Sequence, residues 1–328
     1  MDKDRYKASV IVTTYNQTLT LGHILDCLLN QKTEESFEII LCDDGSTEET
    51  FRIFSTRASS AEVPMRYVWQ QDRGFRAGQS RNNGIRLSRG EILIFIDGDS
   101  IPPFDFVEKH ISFHREDPNL IVAGDRLFCH DYDLVKADTF RNPRVLIGWL
   151  KKNAWVNEQE RNYREGWLQS GNPWKAGFAS NMSIRRSPEV CFDDNFLGWG
   201  IEDWEFVYRM NRSGKKFHFA KDTVVYHLDI KNAIFNAFRN NKHEEMVLFA
   251  RNALYFIDKY PEDPSLRECT IAFRHYELDN KKNRWYWDKN VNYSVEEGIE
   301  RLREWLLENS KEVARILTSI GEKPPIKS

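Results

Sequence analysis

Glu91-Ile92-Leu93-Ile94-Phe95-Ile96-Asp97-Gly98-Asp99 decides how this chain folds. The apolar run from Ile92 to Ile96, three of its residues isoleucine, reads as a strand buried on both faces. Two carboxylates separated by one glycine follow at once. A buried strand cannot hide two charges, so they belong at its carboxyl edge, where open α/β sheets place their ligands. Side by side they repel unless protons or a cation compensate. A hard divalent ion bridging phosphate oxygens would do so, which points to a nucleoside-diphosphate site. The spacing alone is weak, because Asp131-Tyr132-Asp133 repeats it without a preceding apolar strand and reads as loop.

Upstream of this stretch, strands and helices alternate. Strands are expected at 9–13, 37–41, 65–69 and 92–96, with helices at 19–29, 47–56 and 78–87 between them. Ser46 is the expected cap of the second helix, with acidic residues in its first turn. Such alternation means βαβ units, hence an α/β fold with a mostly parallel central sheet. Farther on, the pattern suggests a helix at 107–114, a strand at 120–123 and a mainly helical, tryptophan-rich stretch at 146–167. It then suggests a strand ending at 184, a helix at 201–210 and short strands at 217–219 and 224–227. Long amphipathic helices are expected at 233–260 and 295–320, before a frayed tail from 321. The division implied is a nucleotide-binding domain over 1–230 and a helical extension over 231–328, serving acceptor binding or homodimer formation.

The chain has 328 residues, a net charge of −3 and scattered Lys and Arg, so no basic field for nucleic acid exists. Its five cysteines show no paired spacing, and several lie in apolar runs such as Ile39-Ile40-Leu41-Cys42, as reduced core thiols do. Met1-Asp2-Lys3-Asp4-Arg5 is too charged for a signal peptide. No segment approaches the roughly 20 apolar residues of a membrane span. A cytoplasmic protein touching membranes only peripherally is the expectation.

Two more strand ends should face the crevice of Asp97 and Asp99. The first closes in Thr13-Thr14-Tyr15-Asn16 and the second in Asp43-Asp44-Gly45-Ser46. A carboxylate there can accept a base imide or ribose proton, and the Tyr15 ring can stack on a base. A capped turn would need only one of the two aspartates.

In this order, 9–16, Asp43-Asp44-Gly45-Ser46, Ser80-Arg81-Asn82-Asn83-Gly84 and Asp97-Gly98-Asp99 resemble family 2 of the inverting glycosyltransferases. Gly198-Trp199-Gly200-Ile201-Glu202-Asp203 is similar to the signature of galactosyl- and N-acetylgalactosaminyl-transferases, the chondroitin polymerase type included. The resemblance covers roughly residues 8 to 230. It implies a GT-A fold, a UDP-sugar donor and Mn2+ or Mg2+. Carried over by position, Thr13, Tyr15, Asp43, Asp44, Arg81, Asn181 and Trp199 would bind the donor. Asp97 would contact ribose or metal, with Asp99 and His227 as further metal ligands. Asp203 would be the general base, and Glu202 would hold sugar hydroxyls. The stretch 175–181 resembles the lining of a donor-sugar pocket.

Displacement at an anomeric carbon needs a base on the acceptor side and a cation for the departing diphosphate. Glu202-Asp203 could instead be an ordinary acidic helix start, but Trp199 and Trp204 beside it suit a sugar pocket better. One such carboxylate pair disfavours retention. His23, His110, His114 and His275 lack ligand partners at useful spacing, whereas His227 ends a strand. The tryptophans between 149 and 174 could be core or an acceptor wall. A sugar-nucleotide-forming nucleotidyltransferase would carry a Gly-rich loop after the first strand, where this chain has Thr13-Thr14-Tyr15-Asn16. A non-catalytic scaffold would not need metal carboxylates, base and His227 together. Processive synthases carry membrane helices and Gln-x-x-Arg-Trp, of which Lys281-Lys282-Asn283-Arg284-Trp285 echoes only the end. Transfer of a single hexose or N-acetylhexosamine to a carbohydrate, glycolipid or peptide acceptor is the resulting expectation.

Overall fold

A computed structural model describes residues 5–129, 140–228, 243–279, 284–288 and 290–321. Strands β1 (Tyr6–Thr14), β2 (Phe37–Asp43), β3 (Met65–Trp69) and β4 (Gly90–Asp97) lie parallel in the order β3-β2-β1-β4. Helices α1 (Leu21–Leu29), α2 (Glu48–Ala58) and α3 (Ala77–Leu87) make the crossovers. All seven residues of β2 are buried, as are Ile92 to Ile96 of β4, which is what an unbroken apolar strand requires. Thr13 of β1 stands opposite both Cys42 and Asp97, and Thr14 opposite Asp43. Three strand ends are thereby level at one edge.

The second half of the sheet is mixed. After β5 (Ser100–Ile101) and α4 (Phe106–Glu116) come β6 (Leu120–Cys129), α5 (Pro143–Asn153), β7 (Trp155–Val156) and α6 (Glu158–Gln169). A 3-10 turn at Pro173–Ala176 leads to β8 (Asn181–Arg185), α7 (Glu202–Arg212) and β9 (Lys216–Leu228). β8 lies antiparallel between β4 and β6, β9 runs parallel to β6, and β5 closes the far side against β9.

Several elements differ from the sequence expectation. β6 does not stop at 123 but runs on through Asp125 and Arg126, whose charges broke the apolar pattern. The two short strands expected at 217–227 are one strand. Its register jumps from Gly124↔Ala220 to Asp125↔Val224, so 221–223 bulge out and interrupt the alternation. Ser46 is not a helix cap: Thr47 holds that place, and the Ser46 hydroxyl accepts from Asn16 N instead. The expected helix at 295–320 is two helices, α9 (Val295–Glu308), started by a Ser294/Glu297 capping box, and α10 (Ser310–Gly321). Helix α8 (His243–Lys259) is the described part of the segment 233–260, and a hairpin, β10 (Tyr276–Asp279) with β11 (Arg284–Trp287), was not anticipated. The pair Asp131/Asp133, read as loop, lies outside the described residues. Cys27, Cys42, Cys129 and Cys269 are buried and outside any disulfide among the described residues, while Cys191 is exposed.

The chain forms two compact units. One comprises Met1–Gln71, Ala77–Asp193 and Phe206–Lys231, and holds the sheet. The other comprises Asp72–Arg76, Asp194–Glu205 and Asn232–Ser328. Residues 194–205, read from sequence as part of the first 230-residue domain, therefore group with the C-terminal helices. Among the described residues no helix is long and apolar enough to cross a membrane.

Candidate active site

At the carboxyl edge of the parallel strands, backbone bonds tie three loops together. Asp44 N donates to Thr14 O at 2.9 Å and Gly98 N to Thr13 O at 2.7 Å. Asn16, in the left-handed region with φ +52°, receives Thr47 N on its side chain at 3.0 Å. Gly98 must be glycine, since a Cβ there would stand 2.8 Å from Thr14 Oγ1 and 3.0 Å from Thr13 O. The Thr13 and Thr14 hydroxyls are buried with no partner among the described residues. Tyr15 is exposed beside them.

The two aspartates after β2 are not equivalent. Asp43 is buried, and Oδ1 accepts from Gly45 N (3.1 Å) and Ser46 N (2.7 Å). Its Oδ2 accepts from Tyr67 Oη at 2.5 Å. Those bonds make Asp43, expected from sequence to bind the donor, a brace of the loop. Asp44 Oδ1 accepts from Gln70 Nε2 at 2.5 Å, and Gln70 in turn accepts from Asn83. Of the neighbours in that α3 motif, Asn82 pairs through its amide with both backbone groups of Phe192. Arg81, buried, donates to Asp97 Oδ1 at 2.9 Å.

Asp97 and Asp99 remain partly open, their side chains 31% and 27% exposed. Ser100 pairs with His227 across β5 and β9, and this register sets His227 Nδ1 3.3 Å from Asp99 Oδ1. Burial works against both charges, but mutual attraction outweighs it. Asp99 is held below the ordinary carboxylate range and His227 is raised. No three-residue cluster of His, Cys, Asp or Glu fit to cage an ion occurs among the described residues. The three expected ligands thus do not form one cage: Asp99 and His227 pair, while Asp97 bonds Arg81. Two protein groups suit an ion that completes its shell with phosphate oxygens and water.

Sequence reasoning missed Arg126. Its guanidinium donates to Glu160 Oε1 at 2.7 and 3.1 Å and lies 4.4 Å from the Phe178 ring centre. Burial opposes its charge; Glu160, Asp97 and Asp99 more than restore it. The charged pair Asp125-Arg126 inside an apolar strand was the available signal. Phe128, two residues on, meets His227 edge-to-face at 5.3 Å and the exposed Trp155 at 5.5 Å.

Asn181, expected to bind the donor, is tied into the strands around it. It is 1% exposed, donates to Asp125 O (2.9 Å) and Thr223 O (2.8 Å), and bonds His110 Nε2 through Oδ1 at 2.9 Å. Lys175 is likewise buried.

In the second unit, Gly198, Gly200 and Ile201 all have positive φ, at +76°, +99° and +77°. A β-branched residue in that region costs roughly 1–3 kcal/mol and persists only where its surroundings enforce it. The strained residue immediately precedes Glu202, buried, and Asp203, half-buried, in the first turn of α7. Glu205, fully buried, accepts from Lys259 Nζ and Tyr260 Oη, each at 2.8 Å. Trp199 packs on Phe249 with ring centres 5.6 Å apart.

The sequence profile of glycosyl transferase family 2 matches residues 9–188. Hyaluronan synthase of Pasteurella multocida is 32% identical over 237 residues, covering 67% of this chain but 24% of that protein. The chain therefore spans about a quarter of that relative's length. Among solved structures, S. aureus TarS 1-349 in complex with UDP-GlcNAc aligns with TM-score 0.55 at 15% identity, covering 96% of this chain and 89% of that one. The mannosyltransferase PcManGT from Pyrobaculum calidifontis, in complex with GDP-Man and Mn2+, aligns with TM-score 0.53 at 16% identity, covering 97% and 80%. The profile spans more than half of the chain and the architecture agrees with it, so the protein belongs to glycosyl transferase family 2 and has the GT-A fold.

Proposed function

We propose that the protein transfers a hexose or N-acetylhexosamine from a UDP-sugar to an acceptor hydroxyl, with inversion at the anomeric carbon. The observation that carries this is the level set of strand ends bearing Asp44, Asp97 and Asp99, with His227 set on Asp99 by the β5–β9 register. The TarS neighbour bound to UDP-GlcNAc supports UDP as carrier. Asp99 and His227 would hold Mn2+ or Mg2+ together with the diphosphate, with Asp97 beside them. That ion, when bound, offsets the charge on the departing diphosphate.

This chain's own groups supply the rest. The Tyr15 ring is 38% exposed, as a ring that stacks on a base would be, and the Thr13 hydroxyl is available to a nucleotide oxygen. Against burial, His227 and, less strongly, Arg126 hold Asp99 below the ordinary carboxylate range, while Arg81 donates to Asp97. Asp203 takes the acceptor proton as the acceptor oxygen bonds to the anomeric carbon. The bond to the diphosphate breaks on the opposite face, and its electron pair leaves with the phosphate. Glu202 orients sugar hydroxyls.

A carbohydrate acceptor is favoured over a peptide. Trp155 is exposed next to Phe128, and on α6 Tyr163 and Trp167 stack with ring centres 6.1 Å apart, Tyr163 being 55% exposed. Such rings pack on the faces of pyranoses.

Thermal-shift titration with UDP, GDP and dTDP, each with and without Mn2+, tests the reading. The expected result is a shift with UDP that requires the metal and is lost in Asp99→Ala. Equal shifts for all three nucleotides, or no dependence on Mn2+, would overturn the UDP and metal assignments.

A further inference from the structure

The turn that presents Glu202 and Asp203 does not hold its own shape. Positive φ at Gly198, Gly200 and Ile201 turns the carbonyls of Leu197 and Gly200 away from any helix or sheet ladder. One side chain receives both. Asn252, fully buried on α8, donates from Nδ2 to Leu197 O at 3.0 Å and to Gly200 O at 3.1 Å. A carboxamide carries two N–H donors on one nitrogen, so it can satisfy two converging carbonyls. Its Oδ1 accepts from Arg251, whose guanidinium also donates to Asn195 O at 3.0 Å, so the amide's orientation is set as well.

The same helix closes the remaining freedom of the turn. Leu248 and Phe249 fill the space that Cβ atoms on Gly198 and Gly200 would need, at 2.6 and 2.5 Å. Farther along α8, Lys259 binds Glu205, three residues beyond the first acid of α7. The peptide between Gly200 and Ile201 is therefore oriented by Asn252 on its carbonyl side. From Ile201 the carbonyl then receives Glu205 N at 2.9 Å, which starts α7.

We propose that Asn252 is a positioning residue for transfer: its bonds to the Leu197 and Gly200 carbonyls fix the backbone that aims Glu202 and Asp203. The inference rests on the reading of Asp203 as general base. It also gives the C-terminal helices a defined task in the chemistry, separate from any role in dimer formation or acceptor docking.

Asn252→Leu removes both donors at similar volume, and Asn252→Ser keeps a single hydroxyl donor as the milder change. Hydrogen exchange is measured on the whole 328-residue chain without ligand. Peptides covering 197–206 should exchange about tenfold faster in Asn252→Leu and less so in Asn252→Ser, with peptides of β1, β2 and β4 unchanged. The metal-dependent UDP response should stay within about twofold of the parent, because its groups lie on the sheet. With UDP-GlcNAc and UDP-glucose as donors, kcat should fall by about 100-fold in Asn252→Leu at unchanged donor KM, the size of a misaimed catalytic group. Unaltered exchange over 197–206 in both variants would overturn the proposal, as would equal losses of kcat and donor affinity. Asp203→Asn separates the two ideas. If it keeps turnover, the base reading fails while the exchange result stands. If it abolishes turnover and Asn252→Leu does not lower kcat, only the present inference fails.

Discussion

Asp43 and Asp44 are adjacent in the chain, yet one braces a loop and the other is held by a glutamine side chain that can yield to a ligand. Asp43 accepts three hydrogen bonds, two from backbone and one from Tyr67. Asp43→Ala strands those buried donors, so it should cost about 2–4 kcal/mol in urea unfolding, more than a surface carboxylate would. A donor-contacting role alone would leave unfolding unchanged. The place of Asp97 and Asp99 at the edge of the sheet was legible because a buried apolar strand cannot hide two charges. The roles of Asp43 and Asn181 were not. Tyr67 reaches Asp43 from 24 residues away and the partners of Asn181 lie 42 and more residues away, and local sequence carries no record of which distant group will arrive.

At the scale of elements, α4 shows how polar groups are built into the core beside the site. His110 and His114, both buried, share the Ser183 hydroxyl of β8 at 2.8 and 2.9 Å, and His110 also bonds Asn181. Desolvation pushes His110 down to about 3 and His114 to about 4 from an ordinary 6.5. Arg185 and Lys215 add to the fall at His114, against the opposing charges of Asp117 and Glu91. Both histidines are neutral in the folded protein over a range in which the unfolded chain takes up protons. Stability from these groups is thus fully present above pH 6.5 and is lost as pH falls through 6 and 5 towards 4. The slope reaches about 1.4 kcal/mol per pH unit for each histidine. Urea midpoints measured from pH 7.5 to 4.5 should fall accordingly, and the fall should lessen when His110 is replaced by Gln. Strand and helix positions over the first hundred residues were readable from periodicity. The extension of β6 and the continuity of β9 were not, because a bulge and an internal Asp125-Arg126 pair erase the period of two.

For the whole molecule, the C-terminal helices share a unit with 194–205, the segment that carries Trp199, Glu202 and Asp203. Phe196 packs edge-to-face on Tyr255, and Asn252, Leu248 and Phe249 hold the glycine turn. A chain ended after Lys231 leaves these apolar and polar groups without partners. That fragment should bind the dye ANS, elute as aggregate in gel filtration and lack transferase activity. A monodisperse, active fragment would show the helices to be an appendage. The sequence alone was sufficient for the α/β alternation, the edge carrying the carboxylates and the family, since each rests on local patterns of burial and charge. Only the tertiary structure decided that the Glu202-Asp203 turn belongs with the C-terminal helices, that Asp43 and Asn181 are braces, and that Arg126 stands near the carboxylates. Those facts depend on contacts between residues far apart in the chain, and it is packing that selects them.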